Sequence, residues 1–167
     1  MKKAALLILF ILLMTTCTVS YKFNGASINY AETPDIEIRD FPNQAQLVYP
    51  PLSQTFNERM KDVFTRNTKL KFTKVNPSLE IEGEIVRYDL TPLSVKEDNL
   101  ASQTRLTLGV TMRFRNNKNP QEDKEETISA YRDFDSNLML TDVQDQLIDE
   151  LVKDIVDQIF NATMSNW

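Results

Sequence analysis

The chain has 167 residues, with 19 lysines and arginines against 24 aspartates and glutamates, one cysteine, three glycines and no histidine. Zinc centres, Ser-His-Asp triads and Cys-His dyads lack members here, and Gly25, Gly83 and Gly109 are too scattered to build a phosphate-cradling loop. A net charge of −5 lacks the basic footprint that nucleic acid requires, so no nucleic-acid partner, metal or cofactor is expected.

The N-terminus runs MKKAALLILFILLMTTC. Lys2 and Lys3 form a positive head, Ala4 to Met14 are all apolar, and Thr15 and Thr16 precede the only cysteine, Cys17. That is the order of an export signal. Crossing a bilayer takes about 20 apolar residues, more than this run supplies. Met14-Thr15-Thr16-Cys17 resembles the lipobox of bacterial lipoproteins, whose cysteine receives a diacylglycerol and becomes the first mature residue. Thr16 departs from that pattern, where Gly, Ala or Ser is usual. On this reading residues 1–16 are a signal peptide and 17–167 a single domain, with 17 basic residues against 24 acidic and a net charge of −7. Cys17 is then a lipid anchor, since acyl chains contribute about 0.8 kcal/mol per buried methylene. The plainer alternative is a secreted protein with an unpaired cysteine.

YKFNGASINY alternates and reads as a short strand or an extended leader. In DIEIRDF, Ile36 and Ile38 share one face and Glu37 and Arg39 the other, the pattern of a half-buried strand. Pro42-Asn43 makes a turn, and Pro50-Pro51 a break before a helix. From Leu52 to Asn67 the apolar positions are Leu52, Phe56, Met60, Val63 and Phe64, a single helical stripe.

Three strands follow: KLKFTKV, LEIEGEIVRYDLTPLSV and SQTRLTLGVTMRFRNN. In the second, Leu79, Ile81 and Ile85 share a parity and Val86, Tyr88 and Leu90 take the other, which predicts a β-bulge beside Gly83. In the third, Leu106, Leu108, Val110, Met112 and Phe114 face one way. NNKNPQEDKEE reads as an exposed hairpin loop, and ETISAYRDF as a closing strand with Ile128, Ala130 and Phe134 on one side. The last helix opens with Thr141 and Gln144 in capping-box spacing and with Asp142 and Asp145 at the positive end of the helix dipole. Its stripe is Val143, Leu147, Ile148, Leu151, Val152, Ile155, Ile159 and Phe160.

The expected fold class is α+β: a two-layer sandwich with two helices on one face of a mainly antiparallel sheet of four to five strands. The opposite face carries Arg105, Arg113 and Arg115 with Thr107, Thr111, Thr127, Ser129 and Tyr131. Such a face can simply be solvated. It can also dock on a polar surface, such as the inside of a β-barrel, or hold an anionic group, because the arginine fork donates two hydrogen bonds at once. Glu80, Glu82 and Glu84 stand ready to neutralise those arginines. The loop NNKNPQEDK and the tip DLTPLSVKEDN are the longest exposed connections.

The order of elements, with the strings YKFNGASI, FPNQAQLVYPPLSQTFNERMKDVF, LEIEGEIVRYDLTPLSV, QTRLTLGVTMRFRNNKNP and DFDSNLMLTDVQDQLIDELVKDIVDQIFNATMSNW, resembles the lipopolysaccharide-assembly lipoproteins, LptE, in their Bacteroidetes form. The resemblance implies a non-enzymatic protein, lipid-anchored at the inner leaflet of the outer membrane. It also implies a plug inside the β-barrel lipopolysaccharide translocon that helps the barrel assemble and helps deliver lipopolysaccharide to the surface. The implied partners are that barrel, lipopolysaccharide, and the membrane through Cys17. Contact with the glycolipid is assigned to Arg105, Arg113 and Arg115 from strand parity and guanidinium geometry. Thr18 replaces the aspartate of inner-membrane retention, and TVSYKF lacks an acidic export cluster, so the expected location is the periplasmic side of the outer membrane. Two other classes stay open: a lipid-anchored binding module for another envelope ligand, and a carboxylate enzyme such as a glycosidase, for which Asp133 and Asp135 would be the pair.

Overall fold

The hydrophobic pattern around Ile36 and Ile38 yields β1 (Asp35–Ile38), with both isoleucines buried. The computed structural model describes residues 28–93 and 103–164. The expected export leader, Cys17, the run from Tyr21 to Ser27 and the tip beyond Leu93 lie outside the described residues. After β1 come α1 (Pro50–Asn67), β2 (Lys71–Phe72), β3 (Leu79–Pro92), β4 (Gln103–Asn116), a 3-10 turn at Pro120–Glu122, β5 (Lys124–Asp135) and α2 (Leu140–Met164). Among the described residues no helix is long and apolar enough to cross a membrane.

The sheet has five strands in the order β2-β1-β3-β4-β5. β3, β4 and β5 are antiparallel, as the alternation predicts, whereas β1 runs parallel to both β2 and β3. KLKFTKV thus forms only a two-residue edge strand, separated from β3 by β1. Lys71 and Phe72 are both exposed, so no burial reinforces a longer pairing, and the chain turns away through Asn76, which adopts a left-handed φ of 47°.

Both helices cover one face. The α1 stripe is buried as its spacing predicts, at Leu52, Phe56, Met60, Val63 and Phe64. Pro50 and Pro51 occupy its first turn, where a missing N–H costs nothing, and Tyr49 makes the N-cap without a side-chain bond. The α2 stripe extends the expected set with Val156, Thr163 and Met164, while Val143 is half-buried. Phe64 and Phe160 meet edge-on at 5.2 Å and join the two helices.

Two local expectations are corrected. The phase of β3 switches at Val86, between Ile85 and Arg87, and not beside Gly83. Beyond β1 the chain keeps company with β3 through Ile85 N–H to Pro42 O (2.9 Å) and Gln44 N–H to Ile85 O (2.8 Å), and the irregularity falls where that pairing ends. Gly83 has another reason to be glycine: a Cβ would overlap the Thr111 carbonyl oxygen and the buried Phe41 ring. The capping box is absent as well. α2 begins at Leu140, so Thr141 lies inside its first turn, and Gln144 Nε2 instead donates to the Tyr88 hydroxyl at 2.7 Å. Tyr88 is 1% exposed, and a buried phenol needs that partner more than a solvated helix end does.

Candidate functional site: the open face of the sheet

Strand register fixes the uncovered face. Directly opposed residues in an antiparallel pair share a side, so Glu80, Glu82, Glu84, Arg87 and Asp89 of β3 lie beside Arg115, Arg113, Thr111, Gly109 and Thr107 of β4. β5 adds Glu125, Thr127, Ser129, Tyr131 and Asp133 to the same side. Arg105, Arg113 and Arg115 therefore all face away from the helices.

They fall into two groups. Eight residues separate Arg105 from Arg113, roughly 27 Å along an extended strand. Around Glu82 the charges form a ladder across four strands. One Glu82 oxygen accepts from Arg39 Nη1 at 2.7 Å, while the other lies 3.5 Å from Arg115 and 3.8 Å from Arg113. Arg39 also reaches Glu80 (3.4 Å) and Glu37 (3.5 Å), and Arg113 Nε donates to Glu125 at 3.1 Å. Glu37 contributes most to raising Arg39 further above its ordinary range, with Glu82 next among the carboxylates. A hollow of about 220 Å³ opens here, lined by both signs of charge at Arg39, Asp40, Glu82, Glu84 and Arg113.

The second group surrounds Arg105. Its Nε and Nη2 donate to the two oxygens of Asp133 at 2.8 and 3.0 Å, and its guanidinium carbon lies 3.7 Å from the Tyr131 ring centre. That hydrogen-bonded arginine holds the Asp133 carboxyl below its usual range. Thr107, the next residue of β4 on this face, is only 7% exposed. Arg87 pairs with Asp89 at 2.6 Å. Between the groups runs an uncharged strip where the Thr111 and Thr127 hydroxyls meet at 3.1 Å beside Gly109 and Ser129.

Arg39, Arg87 and the hub role of Glu82 were not singled out by sequence reasoning. Arg39 was detectable, since it continues the alternation of DIEIRDF onto the open side. The role of Glu82 depends on β1 inserting between β2 and β3, a register no local pattern reports. Asp133 and Asp135 do share this face, but Asp133 is clamped by Arg105 and Asp135 accepts from the backbone and side-chain amides of Asn137 at 2.9 and 2.8 Å. A general acid needs its pKa raised, and Asp133 is moved the other way.

The arrangement is a broad polar surface of pre-paired charges and hydroxyls on a mostly antiparallel sheet, with its hydrophobic side sealed by helices. Such a molecule is an α+β two-layer sandwich with one open, polar sheet face. The chain belongs to the LptE family, described as lipopolysaccharide-assembly, whose model matches residues 33–163. No curated protein matches it. Among solved structures it is similar to a protein from Xanthomonas campestris (8% identity, 77% of this chain and 83% of that one, TM-score 0.55). It is also similar to a hypothetical protein from Chlamydia trachomatis (11% identity, 78% and 98%, TM-score 0.53). A minor lipoprotein from Acinetobacter baumannii aligns at 15% identity over 80% and 97%, with a TM-score of 0.49. What the first two share with this chain is the fold.

Proposed function

We propose that this protein is an outer-membrane lipoprotein of the Bacteroidetes form of the family, acting as plug and assembly partner of the β-barrel lipopolysaccharide translocon. The family match over residues 33–163 carries this reading. The open face supports it: outer-membrane barrels have polar interiors, and a sheet of paired charges and hydroxyls offers hydrogen bonds without an apolar surface to desolvate. In this proposal residues 1–16 are removed, Cys17 carries the lipid, and the domain from 17 to 167 hangs on the periplasmic side. Arg113 and Arg115 are the anion-binding pair for lipopolysaccharide phosphate, with Arg105 a separate contact beside Tyr131.

Depleting the protein tests the role as a whole. Surface lipopolysaccharide should fall and the barrel should misassemble, whereas normal levels of both would refute the proposal. Mass spectrometry of the mature N-terminus should find acylated Cys17; an unmodified cysteine would remove the anchor. Replacing Arg105, Arg113 and Arg115 together by Ala should weaken direct binding of the glycolipid to folded protein. Unchanged binding would end the assignment.

A further inference from the structure

Three lysines around β2 stand apart from the charge pairing of the sheet. No acidic residue occurs between Asp62 and Glu80, in a chain whose net charge is −5. Lys69, Lys71 and Lys74 lie in that stretch, are exposed, and have no carboxylate within ion-pair distance among the described residues. Arg39, Arg87, Arg105, Arg113 and Arg115 on the open face each hold a carboxylate, and the nearby Lys61 and Arg66 are matched to Asp40 and Asp62, both at 2.7 Å. Glu32, on the turn that leads to β1, offsets at most one of the three lysines. Apolar groups are interleaved with them: Phe72 is 44% exposed and Val75 76%. Thr73 Oγ accepts from Val75 N–H at 3.2 Å and Asn76 takes its left-handed φ, which sets Lys74 and Val75 at the tip of a tight turn. Lys71 shares the side of Asp35 and Phe72 that of Ile36, so charge and apolar surface flank one edge of the sheet.

We propose that this corner docks on anionic phospholipid, with the lysines at the headgroup phosphates and Val75 and Phe72 at the boundary with the acyl chains. The inference rests on the reading of Cys17 as a lipid anchor, and the path of the chain selects the occupant. The described residues begin at this corner, where Lys69 N–H donates to the Tyr30 hydroxyl (3.3 Å) and Lys71 N–H to Pro34 O (3.0 Å). Ten residues separate Cys17 from Ile28 and reach about 36 Å when fully extended, so a lipid on Cys17 keeps the corner close to the leaflet it enters. The residue types agree. Arginine forks suit fixed, directional partners, as on the open face, whereas lysine is a compact point charge that suits headgroups free to move beneath it. A basic cluster beside a lipid anchor is also the second signal by which acylated proteins hold a membrane firmly. A plug tethered in this way leaves the corner at the periplasmic mouth of the barrel and the open face to the lumen, so docking and plugging are compatible.

The test is the full-length Val75→Trp chain in vesicles of brominated phosphatidylcholine, with and without phosphatidylglycerol; the parent supplies the background from Trp167. When phosphatidylglycerol is present, bromine on the acyl chains should quench the new tryptophan at least about twofold more than that background. The excess should vanish when Lys69, Lys71 and Lys74 are all replaced by Ser, and in about 1 M salt, where the screening length is about 3 Å. Should Val75→Trp fail to fold by circular dichroism, acetylation of the unsubstituted chain decides. Phosphatidylglycerol vesicles should then protect Lys69, Lys71 and Lys74 relative to Lys153, which is paired with Asp157 on α2. A folded variant without excess quenching, an excess that survives the three serines, or lysines protected by a polyglutamate peptide but not by the vesicles overturns the docking. Mass spectrometry of Cys17 reads the anchor separately. Acylated Cys17 without excess quenching refutes the docking alone, and unmodified Cys17 with excess quenching refutes the anchor alone.

Discussion

Gly83→Ala should be among the most damaging single-methyl changes in this chain. Where a strand has room, replacing glycine with alanine stabilises by about 0.4–1 kcal/mol, because the unfolded chain loses freedom. Position 83 has no room. The new Cβ would overlap the Thr111 carbonyl, which the β3–β4 ladder holds, and the edge of the Phe41 ring. That ring is fully buried, 5.2 Å from Phe56, and its backbone is fastened by Ser53 Oγ–H to Phe41 O (2.7 Å) and Phe41 N–H to Asn57 Oδ1 (2.8 Å). Overpacking typically costs about 1–3 kcal/mol, and two fixed neighbours put this case at the upper end, about 3 kcal/mol. Phe41→Ala alone should cost about 3–5 kcal/mol through the cavity it leaves. That cavity also removes one of the two obstacles, so the double variant should fall short of the sum by at least about 1 kcal/mol. Urea unfolding of the four proteins measures both quantities, provided their m-values agree. A Gly83→Ala effect below about 0.5 kcal/mol, or additivity within about 0.5 kcal/mol, would refute the reasoning.

Three further outcomes are expected. Deleting Val86 should leave urea unfolding cooperative, since removing the extra residue makes the Ile85–Val110, Arg87–Gly109 and Tyr88–Leu108 pairings consecutive and keeps Tyr88 on the buried side, and Val86→Thr, 39% exposed in the parent, should stay within about 0.5 kcal/mol; loss of cooperativity in the deletion would contradict the bulge. Tyr88→Phe should cost about 0.5–1.5 kcal/mol in urea titration, the net worth of its bond to Gln144; a stabilised variant would contradict it. Asp133 should titrate by NMR below the ordinary value of 3.8 and return toward it in Arg105→Ala. Because its folded pKa is depressed, the stabilisation is complete above about pH 4 and lost as pH falls through the folded value, so Arg105→Ala should flatten stability only in that acid window.

The elements that bury one regular face were legible from sequence. Leu52, Phe56, Met60, Val63 and Phe64 announce α1 because each sits on the same strip of helix, and all five are buried. The same holds for Leu106 to Phe114 on β4, whose parity put Arg105, Arg113 and Arg115 on the open side. What failed was decided by contacts distant in sequence. β2 reads as a longer strand because KLKFTKV alternates, but its length depends on a parallel neighbour contributed by β1. Gln144 looks like half of a capping box until a buried phenol from β3 claims it. The bulge lies at Val86, where the parity of β3 changes between Ile85 and Tyr88; Gly83 drew the expectation away from it, and the reason for that glycine, the packing of Phe41, comes from a residue distant in sequence.

Pairing among the open-face charges bears directly on how this surface would take an anion. A phosphate reaching Arg105 must displace a two-pronged carboxylate and unstack Tyr131, so that arginine is the least available of the three. Arg113 is held by Glu125 and more loosely by Glu82, and the closest carboxylate contact of Arg115 is 3.5 Å to Glu82. Glu82 is therefore the competitor that an incoming phosphate must replace at both arginines. Glu82→Gln keeps an oxygen that can accept from Arg39 while removing the charge that restrains Arg113 and Arg115. Exposed ion pairs are worth about 0.2–1 kcal/mol each, so relieving both should tighten binding of the anionic glycolipid about twofold to thirtyfold at low salt, with the gain shrinking as salt screens it. Titrating lipopolysaccharide against folded Glu82→Gln and parent protein at two salt concentrations reads this directly. Equal or weaker binding at low salt would mean that Arg113 and Arg115 serve the fold of the sheet and not the glycolipid.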